Sequence, residues 1–314
     1  MAQATNSFST FASTRNRELI LDNIYNVSVK DTPILSLLSR ESIDAVNPRW
    51  PVDAFAAGVA NRVEQGDIPT IAASSATTMY QNQTQILLKT FSVTRTQQKA
   101  RKAGRTDEIA YQMSKRSVEL KNDLEFALMQ NTTSIAASAG VAPQMRGFLG
   151  WVDTNTSFGA AGVDPNPLTN TAPTDGTLRT FTEPLLRTVA QTMHDNGAKI
   201  DDTYVAIPST LRGAFDGFLA GQTRFDKAED KTLTATLEVY IGPFGRFRVI
   251  NGRNMRQREV FIINPEYASL GVFDGIKAKR LADRGDAEEY MMNTEVTLLC
   301  KNERAHGTIR DLQP

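Results

Sequence analysis

The stretch DEIAYQMSKRSVELKNDLEFALMQN, Asp107 to Asn131, decides how the rest of the chain is read. Ile109, Met113, Leu120, Leu124 and Leu128 recur at intervals of about four and seven, which gathers them on one helical face. Lys115, Arg116, Glu119, Lys121, Asp123 and Glu125 take the other side, with Lys121 and Glu125 spaced to pair across one turn. Thr106 is the expected N-cap, and Asp107 and Glu108 suit the positive end of the helix dipole. No Pro or Gly follows until Gly140. At 1.5 Å per residue the rod is roughly 37 Å long, more than an ordinary helix of three to four turns. Its apolar stripe is too narrow for a fully buried helix and too short in heptads for a sustained coiled coil. The pattern predicts a spine to which other parts attach.

Upstream, residues 1 to about 50 read as an arm. A Ser/Thr/Asn-rich start precedes Arg17 to Tyr25, where Leu19, Ile20, Ile24 and Tyr25 form the apolar side of a short amphipathic helix. Thr32-Pro33 breaks the chain, and Ile34 to Leu38 adds a second apolar patch that needs the body or a neighbouring copy to cover it. Trp50 to Val93 reads as a projecting hairpin. One leg starts at Arg49-Trp50-Pro51-Val52, a turn falls at Glu64-Gln65-Gly66-Asp67, and Gln83 to Val93 is a β-rich return leg.

Downstream, Thr132 to Ala142 is a small-residue connection and Gly147 to Trp151 an apolar corner. Asp153 to Thr180 reads as a surface loop, and Thr182 to Asn196 as a helix closed by Gly197. Tyr204–Ile207, the helix Ser209–Leu219, and the strands Thr236–Ile241, Arg246–Ile250, Val260–Ile263 and Ala268–Phe273 imply a compact α/β lobe. In Glu289 to Cys300 the residues Tyr290, Met292, Val296, Leu298 and Cys300 share a face by period two, and His306 to Leu312 is the expected final partner.

Composition narrows the function. At 40% hydrophobic and 22% charged, the 314 residues suit a folded protein rather than a disordered one. The 35 basic and 35 acidic residues cancel, which argues against a dedicated nucleic-acid binder, though not against a wall that faces nucleic acid. A single cysteine, Cys300, leaves no disulfide framework, and a reducing compartment is the simpler setting. No signal-type apolar core and no long apolar run is present, so no membrane span is expected.

Catalytic signatures are absent. There is no Walker-type loop, G-x-G-x-x-G or G-x-S-x-G; Gly242-Pro243-Phe244-Gly245 and Gly159-Ala160-Ala161-Gly162 read as turns. His194 and His306 are the only histidines, too few for an ordinary zinc site, and Cys300 reads as a buried thiol rather than a partner of His306. Asp201-Asp202 and Glu288-Glu289 read as solvated charges, since neighbours in a strand face opposite ways. Arg95, Lys99, Arg101, Lys102 and Arg105 form the one basic cluster, read first as a solvated approach to the spine and second as a contact with an acidic neighbour or phosphate. Arg284-Gly285-Asp286 spells a cell-adhesion tripeptide, which a glycine turn explains better. No catalytic, cofactor-binding or metal residue is assigned.

The order of arm, projecting hairpin, long helix, α/β lobe and returning strands resembles the major capsid proteins of tailed bacteriophages, which share the Hong Kong 97 fold, and among them the group typified by a podovirus-type coliphage shell protein. The residues that carry the likeness are Asp31-Thr32-Pro33, Glu64-Gln65-Gly66-Asp67, Asn82-Gln83-Thr84-Gln85-Ile86 and Val93-Thr94-Arg95-Thr96. Glu119 to Glu125, Asn131, Leu281 to Asp286 and Glu295 to Leu298 complete the set. The resemblance implies an α+β chain divided into an N-arm (1–49), an extended loop (50–97), the spine helix with the first part of a peripheral domain (98–149), an axial domain (150–273) and the second peripheral part (274–314). It implies self-assembly into pentamers and hexamers, a shell around double-stranded DNA held without sequence-specific binding, and a virion built in the bacterial cytoplasm. Portal, separate scaffolding and decoration proteins are the implied partners, since the segment ahead of Arg17 is short for a fused scaffold.

Some such shells cross-link through a lysine in the extended loop. There is no Lys between Arg62 and Lys89, so no cross-link is expected. A nanocompartment shell enclosing cargo enzymes, a hydrolase or transferase using the α/β lobe, and a tail or baseplate protein are the alternative readings.

Overall fold

The computed structural model describes residues 31–55, 58–68, 71, 76–100, 107–201, 203–219, 239–282 and 285–313. In chain order these form α1 (Pro33–Leu37), β1 (Ser39–Ser42), β2 (Arg49–Val52), β3 (Thr78–Gln81), β4 (Gln85–Thr94), α2 (Arg95–Lys99) and α3 (Glu108–Leu128). Then come β5 (Thr156–Ser157), β6 (Arg179–Thr180), α4 (Glu183–Asp195), β7 (Thr203–Ile207), α5 (Ser209–Asp216), β8 (Val239–Gly242) and β9 (Gly245–Asn251). The chain closes with β10 (Val260–Ile263), β11 (Ala268–Arg280), β12 (Ala287–Cys300), β13 (Gly307–Ile309) and β14 (Leu312–Gln313). The expected arm helix at Arg17–Tyr25 lies outside the described residues.

The spine is α3, 21 residues long, or about 31 Å at the usual helical rise. Its cap is Asp107 rather than Thr106, which lies outside the described residues: the Asp107 carboxylate accepts the N–H groups of Ile109 and Ala110 at 2.9 and 3.2 Å. Leu120, Leu124 and Leu128 are buried as expected, while Ile109 and Met113 are half-buried. The expected Lys121–Glu125 pair gives way to a tertiary bond. Glu125 is fully buried, and its Oε2 accepts the Leu35 N–H at 3.3 Å. The first turn of α1 has amide groups with no partner inside the helix, and Glu125 supplies one. Periodicity sends a lone Glu to solvent; a packed helix end calls it inward. The Ile34–Leu38 patch is therefore covered by the chain's own body, in a core shared with Leu124, Leu128 and the strands behind them.

A four-stranded sheet of order β1-β11-β12-β4 backs the spine. β4 pairs with β12 along its whole length, from Gln85↔Val296 to Thr94↔Ala287. The stretch Gln83–Val93 is thus a sheet strand and not the free leg of a hairpin. Its buried residues Phe91 and Val93 lie on one face by period two, and Phe91 stacks on Tyr290 with centroids 5.3 Å apart. The hairpin ladder is shorter: β2 and β3 pair only from Arg49↔Gln81 to Val52↔Thr78. The turn at 64–67 forms, closed by Asp67 N–H to Glu64 O at 3.2 Å, with Gly66 at a φ of 90° that favours glycine.

The lobe is a six-stranded sheet of order β5-β13-β10-β7-β9-β8. Helices α4 and α5 cover one face through Leu186, Val189, Met193, Leu211 and Phe215. On the other face Ala206, Phe261 and Ile263 join the spine core, so the sheet is the wall common to both cores. Two expectations change here. His306–Leu312 does not partner Glu289–Cys300; β13 pairs with β10 and β5, inside the lobe. The strand starting at Ala268 does not end at Phe273 but continues to Arg280 beside β12. Gly147 locks the junction of spine and lobe, since a Cβ there would sit 2.1 Å from the Gln130 carbonyl oxygen.

Candidate assembly surfaces

The residues with chemical potential are scattered. His306 is fully buried, its Nδ1 accepting the Asn264 N–H at 3.2 Å, and burial pushes its pKa down to about 4. Cys300 is buried and burial pushes its thiol up, which leaves it inert as a nucleophile. His194 is exposed on α4, 3.5 Å from Asp195. Glu288 pairs with Arg280 at 3.7 Å, and Asp201 is exposed. Asp202, Arg284, Arg101, Lys102 and Arg105 lie outside the described residues; of the basic cluster, Arg95 stands 3.9 Å from Asp286, and Lys99 is exposed at the end of α2. Gly242–Gly245 and Gly159–Gly162 are turns, as expected. Among the described residues no His, Cys, Asp and Glu cluster could hold a metal ion, and no helix is long and apolar enough to cross a membrane.

The built feature is the root of the projecting loop. Trp50 on β2 and Tyr80 on β3 close over Trp151, with centroids 5.4 and 5.9 Å away. Trp50 Nε1 donates to the Cys300 carbonyl at 2.9 Å. Beside them Asn82 is fully buried; its Nδ2 donates to Leu298 O at 2.8 Å, and its Oδ1 accepts the Arg146 N–H at 2.8 Å. Arg146 is buried beneath, donating to Gly150 O at 2.7 Å and Asn170 Oδ1 at 2.6 Å, with its guanidinium 5.4 Å from the Trp151 ring. Among the described residues no carboxylate contacts it, and burial pushes its pKa down to about 10. A buried cation satisfied by carbonyl and amide oxygens ties loop root, corner and the 153–180 loop into one rigid block. Nothing in the local sequence marks Arg146 for this, because its partners are distant in the chain.

Between the loop legs and residues 302–304 lies a polar cavity of about 340 Å³. Glu303 on its wall accepts the Thr154 Oγ1–H at 2.8 Å, and burial together with the adjacent Asp153 pushes its carboxyl up. The same burial, with the Asp153 and Glu303 charges, pushes Tyr80 up to about 12. Above this root the loop presents apolar side chains to solvent: Phe55, Val59 (80% exposed), Val63, Ile68 and Ile71 (96% exposed). Exposed apolar side chains clustered this way form the kind of surface that contacts other proteins in general.

Comparison with known proteins assigns the architecture. The family model described as the SU10 major capsid protein matches residues 3–313, nearly the whole chain. The chain belongs to this family. The capsid protein is 35% identical over 111 residues to the major capsid protein of Escherichia phage Phieco32; that match spans 33% of the chain and 30% of the relative's length. Its fold is similar to that of a chain in the cyanophage A-1(L) capsid asymmetric unit, with a TM-score of 0.69 at 12% identity, covering 98% of this chain and 100% of the other. A solved structure from Mycobacterium phage Bobi gives a TM-score of 0.61 at 13% identity, covering 98% of this chain and 99% of the other. The fold is the Hong Kong 97 type, and the protein is a structural component of the virion shell.

Proposed function

We propose that this capsid protein assembles head to tail into pentamers and hexamers that close an icosahedral shell around the double-stranded DNA of a tailed phage. The observation that supports this most is the extended loop, whose apolar side chains Phe55, Val59, Val63, Ile68 and Ile71 find no cover among the described residues. A neighbouring copy that receives the loop removes that surface from water, and head-to-tail repetition closes a ring. The proposed division keeps the arm (1–49), the extended loop (50–97) and the spine (98–149). The axial domain starts at 150, but we place β11 with the peripheral sheet and residues 307–313 with the axial domain, following their strand pairing. DNA is held without sequence reading, in line with zero net charge. Assembly takes place in the host cytoplasm with a separate scaffolding protein and a portal. A decoration protein is a further partner, as a phage G structure of related fold (TM-score 0.56) contains both major capsid and decoration proteins.

The test is electron microscopy of particles made by the full chain with its phage's other head proteins, with nuclease digestion of their contents. Closed shells containing DNA support the reading. Shells packed with enzyme cargo, or open tubes, count against it.

A further inference from the structure

Two carboxyl groups meet beneath the projecting loop. Asp153 follows the apolar corner, and Glu303 opens the short turn Glu303–Ala305 behind β12. Glu303 is 6% exposed, with Thr154 Oγ1 at 2.8 and 3.0 Å from its two oxygens. Asp153 Oδ1 is buried and receives no donor among the described residues, and the Asp153 carboxyl lies within hydrogen-bonding reach of Glu303. Two ionised carboxylates have no proton to donate, so this contact needs one proton between them. Both groups line the polar cavity of about 340 Å³, and the loop legs close it from the other side with Val52, Asp53, Thr78 and Tyr80. The pair is thus part of the floor on which the loop root rests.

Asp53 and Tyr80 face the pair from the legs, and the Cys300 thiol approaches from the end of β12. Arg304 stands 3.8 Å from Glu303 on the same turn, but its side chain is 44% exposed, so water screens it. Burial and the Asp153 charge push the Glu303 carboxyl up to about 7. The folded chain therefore keeps a proton that the unfolded chain releases near the ordinary 4.5, and the stability it brings is lost as pH rises through about 7. We propose that Asp153 and Glu303 form a proton-dependent latch under the loop root. With one proton shared between them, the corner and the 303–305 turn stay together as a floor for the legs. Loss of that proton to water drives the two carboxylates apart and loosens β2 and β3. The consequence for assembly rests on reading the loop as the part that a neighbour receives: the loop is presented on a fixed root on the acid side and on a loosened one on the alkaline side.

The experiment is a pH titration of full-length, unassembled subunits. The chain has two tryptophans, Trp50 and Trp151, and both stand at this root, so intrinsic fluorescence reports on it. Emission should move to the red with a one-proton midpoint near 7. Amide protection in β2 and β3, corrected for the intrinsic effect of pH on exchange, should fall by roughly tenfold across that midpoint while β10 holds. Glu303→Gln carries a neutral amide that can donate to Asp153 Oδ1 as the shared proton does, so its emission should stay blue and its root protected throughout. Asp153→Asn should likewise lose the midpoint. Glu259→Gln, which removes the other carboxyl pushed up to about 7, and His194→Gln should both keep it. Flat emission in the parent, a midpoint that survives in Glu303→Gln and Asp153→Asn, or one that vanishes in Glu259→Gln would overturn the proposal. So would an emission change with no change of protection in β2 and β3. Shell formation, scored separately by microscopy, reports on the capsid reading and not on the latch.

Discussion

His306 and Glu259 are both fully buried, and they answer acid in opposite senses. The folded His306 pKa of about 4 lies below the ordinary 6.5, so between these values the unfolded chain binds the proton first. Its contribution to stability falls as pH drops from 6.5 to 4, by about 3 kcal/mol in all. Glu259 sits 2.5 Å from Arg256, yet burial outweighs that charge and pushes its carboxyl up to about 7. Here the folded chain binds the proton first, and stability rises by a similar ~3 kcal/mol as pH falls from 7 to 4.5. Urea unfolding of unassembled subunits at pH 7 and 4.5 separates the two. Relative to the parent, His306→Gln should shift the change on acidification toward stabilisation and Glu259→Gln toward loss; equal responses in both variants would refute the assignment. Glu125 gives a second residue-scale prediction. Glu125→Ala leaves the buried Leu35 N–H without an acceptor and should cost about 1–3 kcal/mol, read as a lower urea midpoint.

At the scale of elements, the spine separates two faces that substitutions can distinguish. Leu120 is 1% exposed, and Leu120→Asp places an unpaired charge in the core, so no soluble subunit is expected on expression. Lys115 is exposed, and Lys115→Ala should leave the melting temperature within a degree or two, a change of about 0.5 kcal/mol or less. Similar outcomes for both would sink the assignment of faces. The loop root offers a parallel test. Asn82→Ala removes the acceptor for the Arg146 N–H and the donor to Leu298 O, with an expected loss of about 1–3 kcal/mol. Hydrogen exchange should then quicken in β2 and β3 before it does in β10, because the clamp fails locally.

At the scale of the molecule, replacing residues 53–77 with a short Gly/Ser turn should leave a folded subunit, since the β2–β3 ladder closes below them, and abolish closed shells in electron micrographs. Denaturing gels of assembled particles should show a single band and no covalent ladder. The loop has no lysine between Arg62 and Lys89, and Lys89 itself is tied to Asp123 at 2.5 Å on the sheet. The spine, the lobe helices and most strands were legible in the sequence because their periodicity is local: Leu120, Leu124 and Leu128 announce a face whatever they pack against. The turn at Gly66 was legible for the same reason. The misreadings share a different cause. Strand content in Gln85–Thr94 and Gly307–Ile309 was visible, but a strand does not encode its partner, and only closure of the sheets sent the first to β12 and the second to β10. Glu125 looked solvated until α1 brought the Leu35 amide to it, and Arg146 carried no signal until Asn82, Gly150 and Asn170 converged on it. The sequence by itself determined most of the elements and the turn that tips the projecting loop. The tertiary structure decided pairing, burial of charge and the shape of the contact surfaces, because each depends on groups far apart in the chain that meet only when it folds.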